Sequence, residues 1–140
     1  YMKGSLFVVV LGSILAHSAV AGDKSACHAR SLAGKWMFAT DVGRQNLFPG
    51  GDITAIGIFT LDRKGGAKGR FDATIADLTF LPKVPFEGTL EVKPDCTGTF
   101  TFVTGAGTQR TDSIVVLSPW RIRGMSQDVN NLWTYEMERL

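Results

Sequence analysis

Apolar and polar residues alternate over much of the chain, with the two-residue period of strands that keep one face wet. The pattern is clearest from Phe86 to Val103. There Phe86, Gly88, Leu90 and Val92 alternate with Glu87, Thr89 and Glu91, and Gly98, Phe100 and Phe102 alternate with Thr97, Thr99 and Thr101. Pro94 and Asp95 supply turn chemistry between the two runs, just before Cys96, so this segment predicts a β-hairpin.

Further strands are predicted on the same grounds. Leu32 to Thr40 sets Trp36 and Phe38 on one face, and residues 41–51, rich in Gly, Asn and Pro, read as a long loop of the kind that carries binding groups. Ile53 to Leu61 is apolar on both faces, which predicts a central strand covered on both sides, with Ile56 and Ile58 opposite Ala55, Phe59 and Leu61. A glycine turn over residues 62–66 joins it to Lys68–Ile75, with Phe71, Ala73 and Ile75 inward and Arg70 and Asp72 outward. Residues 76–85 are broken by Pro82 and Pro85 and predict a short helical turn or an irregular edge. Arg110 to Ser118 predicts a buried strand around Ile114–Leu117, followed by a short strand from Arg121 to Met125. After a polar turn the last strand carries Trp133, Tyr135 and Met137 on one face and Thr134, Glu136 and Glu138 on the other.

Seven or eight strands with glycines inside them predict an all-β fold that bends sharply. A small antiparallel meander β-barrel fits this best, with a β-sandwich as the alternative. The aromatic faces of the first and last strands, Trp36 and Phe38 with Trp133 and Tyr135, are placed to pair across a closing seam.

The N-terminal residues change the picture. Lys3, the apolar run from Leu6 to Leu15 and the triplet Ala19-Val20-Ala21 have the layout of a secretory signal peptide. Residues 1–21 are therefore expected to be a removed leader and residues 22–140 a single barrel domain, secreted to the periplasm or the medium. The apolar run is too short for a comfortable bilayer span, and no later segment approaches one. Cys27 and Cys96 are the two cysteines of the chain, and in an oxidising compartment they are expected to form a disulfide. The net charge of +2 with scattered basic residues gives no footprint for nucleic acid.

Three motifs together carry a resemblance: Leu32-Ala-Gly-Lys-Trp36, Gly57-Ile-Phe-Thr-Leu-Asp62 ahead of a glycine turn, and Asp95-Cys-Thr-Gly-Thr99. The chain resembles a family of small exported bacterial proteins without an assigned activity. The resemblance implies a compact barrel similar in style to lipocalins or allene oxide cyclases. It implies no activity, because the catalytic and ligand motifs of those proteins have no counterpart at these positions.

The candidate chemistry is sparse. No hydrolase elbow, phosphate loop or zinc-protease motif is present, and His28 is the single histidine beyond the leader. No metal site, cofactor or catalytic set is expected. Glu87 with Glu91, and Glu136 with Glu138, share strand faces opposite the apolar ones and point to water. The remaining constellation is the inward aromatic set, which either fills a barrel or lines a cavity for one small ligand. The candidate ligand-binding residues are Trp36, Phe38, Phe71, Phe100, Phe102, Trp133 and Tyr135, with Arg123 as a polar group at the mouth. The expected function is a non-enzymatic binder of a small apolar or amphipathic molecule. Two alternatives stay open: an isomerase or cyclase that uses Tyr135 or an inward Asp as acid or base, and a surface module that contacts other proteins through a patch around Ile56 and Ile58.

Overall fold

The computed structural model describes residues 27–45, 51–75, 79–105 and 107–140. Eight antiparallel strands close into a barrel in simple sequence order: β1 (Gly34–Gln45), β2 (Gly51–Leu61), β3 (Gly66–Ile75), β4 (Thr79–Val92), β5 (Thr97–Thr104), β6 (Gln109–Ser118), β7 (Arg121–Ser126) and β8 (Asn131–Arg139). Each strand pairs with its neighbours in the chain, and β1 pairs with β8, so no strand is left with an unpaired edge. The meander barrel predicted from the alternation is the observed fold, and the sandwich is excluded. The leader and its cleavage lie outside the described residues.

The predicted Phe86–Val103 hairpin forms, with Leu90 opposite Phe100 and Gly88 opposite Phe102. Its turn is one of three with the same hydrogen bonds. In each, an amide donates three residues back, and the first residue donates to the carbonyl four ahead: Gly65 to Asp62 and Asp62 to Gly66, Cys96 to Lys93 and Lys93 to Thr97, Gly107 to Thr104 and Thr104 to Thr108. The fourth residue of each turn is left-handed. Glycine fills that place twice, at φ +90° and +81°, and Cys96 fills it at φ +69°. A side chain in that region is held at a cost. Asp95 locks the turn by accepting from the Thr97 amide at 3.0 Å and hydroxyl at 2.7 Å, which lowers its pKa.

Cys27 and Cys96 form the expected disulfide. It fastens a plug to one end of the barrel. The plug is a 3-10 helix, Ala29–Leu32, whose Leu32 is wholly buried among the core side chains. The Trp36 Nε1–H donates to the Leu32 carbonyl at 2.8 Å, and the Arg139 guanidinium donates to the carbonyls of Ser31 and Ala33. The first and last strands thus both hold the plug in place, and Gly34, at φ +144°, leaves the room that the guanidinium takes.

The structure corrects four expectations. The first strand begins at Gly34 and runs on to Gln45, so residues 41–45 are strand and Leu32 belongs to the plug. Residues 46–50 lie outside the described residues. Residues 79–85 are neither helix nor irregular edge but the start of β4. The two prolines are accommodated by a register shift opposite Phe71 and Ala73, where Lys83 turns to φ +52° and its amide donates to Asp72 Oδ1 at 2.7 Å. Strand β2 is not covered on both sides, because a barrel has a single layer: Ile56 and Ile58 are exposed on its outer face while Ile53, Ala55, Phe59 and Leu61 are buried inside. The same holds for β6, where Ile114 and Val116 are buried and Val115 and Leu117 face out. The β1–β8 seam is present, with Phe38 packed on Tyr135 at 6.4 Å between ring centroids. Trp36 sits lower, opposite Arg139 and beside the plug.

Candidate functional site

The barrel interior divides along its axis. Toward the plug it is filled by Leu32, Trp36, Leu61, Leu90, Val116 and Ile122. Above them lies a cage of aromatic rings in which Phe86 touches Phe38, Phe59, Phe71, Phe100 and Phe102, all with centroids 5.9–6.3 Å apart. Most of these pairs are tilted or edge-on, the arrangement the ring quadrupoles favour. At the upper end a cavity of about 30 Å³ is bounded by Phe38, Phe71, Phe86, Phe100 and Phe102 of this cage and by Thr40, Ala55, Asp112, Trp133, Tyr135 and Met137.

Its polar wall comes from β6 and β8. Inward positions on β6 alternate from Val116 and Ile114 back to Asp112 and then Arg110. Asp112 is wholly buried. The Trp133 Nε1–H faces its Oδ1 at 3.4 Å, and Oδ2 has no hydrogen-bond partner. Burial is the main cause that raises the Asp112 pKa; Tyr135, Trp133 and the charge of Arg110 act in the opposite direction. The buried Tyr135 hydroxyl lies close enough to Asp112 for a hydrogen-bonding interaction between the two, but the contact is not a well-formed hydrogen bond. Burial first, and the Asp112 charge second, push the Tyr135 pKa well above the ordinary value.

The Tyr135 ring reaches this place because Gly124 lies under it on β7. A Cβ at position 124 would stand 2.3 Å from the ring carbon Cζ. Arg110 lies beside this wall, against Trp133, and is not itself one of the residues that line the cavity. Its guanidinium carbon is 4.6 Å from the centroid of Trp133, a cation–π contact, and its Nη1 is buried without a hydrogen-bond partner. Desolvation lowers its pKa, while Asp112 and Asp128 oppose that shift. Phe102 stacks on the other part of this layer, 6.2 Å from Trp133 at an interplanar angle of 22°.

Six of the eight sequence-derived candidates meet at this cavity: Phe38, Phe71, Phe100, Phe102, Trp133 and Tyr135. Trp36 does not line it, being part of the packing around the plug. Arg123 lies on the outer wall, since its neighbours Ile122 and Gly124 take the inward positions. It pairs there with Asp41 at 2.6 Å and Glu136 at 3.6 Å, and Arg121 also pairs with Glu136. Glu87 and Glu91 are exposed, as alternation predicts. Sequence reasoning missed Asp112 and Arg110, although the parity of Ile114 and Val116, carried two and four residues back, marks both as inward.

Among the described residues no group of three His, Cys, Asp or Glu is placed to hold a metal ion, and no helix is long and apolar enough to cross a membrane. No protein-family model matches the chain, and no curated protein matches it. Solved structures do. EF1p2_mFAP2b bound to DFHBI is 15% identical with a TM-score of 0.56, covering 83% of this chain and 99% of that one. A redesigned β-barrel, mFAP1, bound to DFHBI is 18% identical with a TM-score of 0.55 over 81% of this chain and 99% of its own. A de novo designed fluorescence-activating β-barrel is 19% identical with a TM-score of 0.56 over 80% of this chain and 96% of its own. At these identities the likeness is one of architecture: the chain shares the small closed barrel of designed fluorescence-activating proteins.

Proposed function

We propose that this chain is a non-enzymatic binding protein that takes one small, flat, apolar or amphipathic molecule into the upper half of its barrel. The observation that carries the reading is a cavity walled by aromatic rings on which two buried polar atoms, Asp112 Oδ2 and the Tyr135 hydroxyl, make no well-formed hydrogen bond. Binding sites of this kind are mostly apolar with a few convergent polar groups. Two of the architecturally similar barrels are described as bound to DFHBI, which supports the idea that an interior of this type admits a ligand. The cavity itself is water-sized, so a ligand enters only as lining side chains move aside, the half-buried Phe38, Thr40, Phe71 and Trp133 being the least constrained. The disulfide supports work outside the cytoplasm, after export by residues 1–21.

Trp133 provides the test. Trp36 is buried by the plug and Trp120 is exposed, so a ligand in the cavity changes the emission of Trp133 alone. Titration with small aromatic compounds is expected to quench that emission and to raise the melting temperature, with quenching lost in Trp133→Phe. Native mass spectrometry of the protein from its own source is expected to show a bound small molecule. A protein that carries nothing and responds to no aromatic compound would refute the reading.

A second reading has one observation in its favour. Ile56 and Phe80 are exposed on the outer wall and share a shallow groove with Thr74, as expected of a module that contacts another protein. Sedimentation of a plain monomer up to high concentration, and no loss of partners on Ile56→Thr with Phe80→Ser, would remove it.

A further inference from the structure

The chemistry of the polar wall restricts the ligand further, and the restriction rests on the binding reading above. Two polar groups line the cavity end, and a third, Arg110, stands next to them over Trp133. Asp112, wholly buried, offers Oδ2 as an acceptor. Tyr135, buried to 4% exposure, offers an O–H donor, and the Arg110 guanidinium offers Nη1–H from above Trp133. Asp112 and Tyr135 interact with each other, but none of these atoms makes a well-formed hydrogen bond, and a buried polar group left so is expensive. A ligand that satisfies them must present a donor to the carboxylate and an acceptor to the hydroxyl or guanidinium.

Charge narrows the class. Asp112 opposes an anion brought into the cavity, and Arg110, close enough to Asp112 to act on its titration, opposes a cation. The pair is neutral as a unit, so a neutral ligand disturbs it least. The rest of the lining is six aromatic rings, Phe38, Phe71, Phe86, Phe100, Phe102 and Trp133, with the uncharged Thr40, Ala55 and Met137, which suits a flat ring and no further charge. We infer that the site selects a neutral aromatic molecule carrying an N–H or O–H donor beside a carbonyl acceptor, as in a primary carboxamide or a lactam, with the donor on Asp112 and the carbonyl on Tyr135.

Four probes of one size separate this from plain apolar binding: benzamide, toluene, benzoate and benzylamine. Each is titrated against the full chain by Trp133 emission and by isothermal calorimetry. Benzamide is expected to bind about tenfold more tightly than toluene, the scale of one or two net hydrogen bonds to a buried acceptor and donor, with benzoate and benzylamine the weakest. Tyr135→Phe and Asp112→Leu are expected to erase the preference for benzamide while leaving toluene binding in place. Retained toluene binding also shows that each variant is folded.

If toluene and benzamide bind equally to the native protein, or if both variants keep the preference, the donor–acceptor assignment is overturned and the apolar binding reading stands. If benzoate or benzylamine binds best, the neutral-ligand assignment is overturned. If none of the four binds at millimolar concentration, the binding reading falls and this inference falls with it.

Discussion

Cys96 stands where two equivalent turns use glycine, and this allows the cross-link and the turn to be weighed separately. The disulfide joins residues 69 positions apart. In the chain-entropy view a loop of that length restricts the unfolded chain by about 4 kcal/mol. That is a large share of the ~5–15 kcal/mol by which domains are stable. Replacing Cys27 and Cys96 together by alanine removes the link and leaves a Cβ in the left-handed region, at φ +69°. Replacing Cys27 by alanine and Cys96 by glycine removes the same link but matches Gly65 and Gly107, and is expected to return about 1 kcal/mol of the loss. The plug retains its hydrogen bonds from Trp36 and Arg139 in both variants, so both are expected to fold. For a domain of this length, 1 kcal/mol moves the midpoint by about 4 °C. Calorimetry should therefore show the alanine pair melting roughly 15 °C below the native protein. The glycine variant should melt about 4 °C above the alanine pair. Native-like melting of the alanine pair would refute the loop-entropy account. Equal melting of the two variants would refute the assignment of strain to the turn.

Three further outcomes are expected. Asp112 binds its proton more tightly in the folded barrel than in the unfolded chain, where 3.8 is the ordinary value. Its contribution to stability is therefore complete below that value and is lost as pH rises through the folded pKa. Asp112→Asn should match the native protein in acid and exceed it at neutral pH, and urea titrations across pH give the shift at about 1.4 kcal/mol per unit of pKa. Gly124→Ala places a methyl 2.3 Å from Tyr135 Cζ and should destabilise by about 1–3 kcal/mol through overpacking. The same change in a Tyr135→Ala background should be neutral or slightly stabilising, which a double-mutant cycle measures. Arg139→Ala removes the donors to the Ser31 and Ala33 carbonyls and should cost about 1–2 kcal/mol. Hydrogen exchange should then accelerate first at residues 29–33.

Much of the barrel was legible because a closed single layer writes its inside and outside directly into alternate residues. The strands from Phe86 to Phe102 and from Trp133 to Met137 carry their aromatic and aliphatic side chains on the inner face as that rule predicts. The rule loses force where both faces are apolar. Ile56, Ile58, Val115 and Leu117 are exposed, and nothing in local sequence distinguishes an apolar outer wall from a covered one. Proline misled for a related reason: Pro82 and Pro85 argue against a strand locally, but the register shift at Lys83 lets β4 pass through them. The site was half legible. Its aromatics are conspicuous as large apolar residues at inward positions. Arg110 and Asp112 were hidden by their charge, which suggests solvent and outweighs the inward parity they share with Ile114 and Val116; the register of β6 places them opposite Phe102 and Phe100.

The seam between β1 and β8 bears on how the chain reaches its fold. All the other pairings join neighbours through short connections, so they can form locally and early, whereas the seam must bring Trp36 to Arg139 from opposite ends of the domain. It is the strand pairing with the greatest sequence separation, and contacts of that kind slow folding. The cross-link shortens the route. Through Cys27 and Cys96 the path from Trp36 to Arg139 is about half its length along the backbone, which lowers the closure entropy by about 0.6 kcal/mol. With the disulfide formed ahead of closure, β8 docks last onto an end already held in place, and the oxidised chain closes its barrel faster than the reduced one.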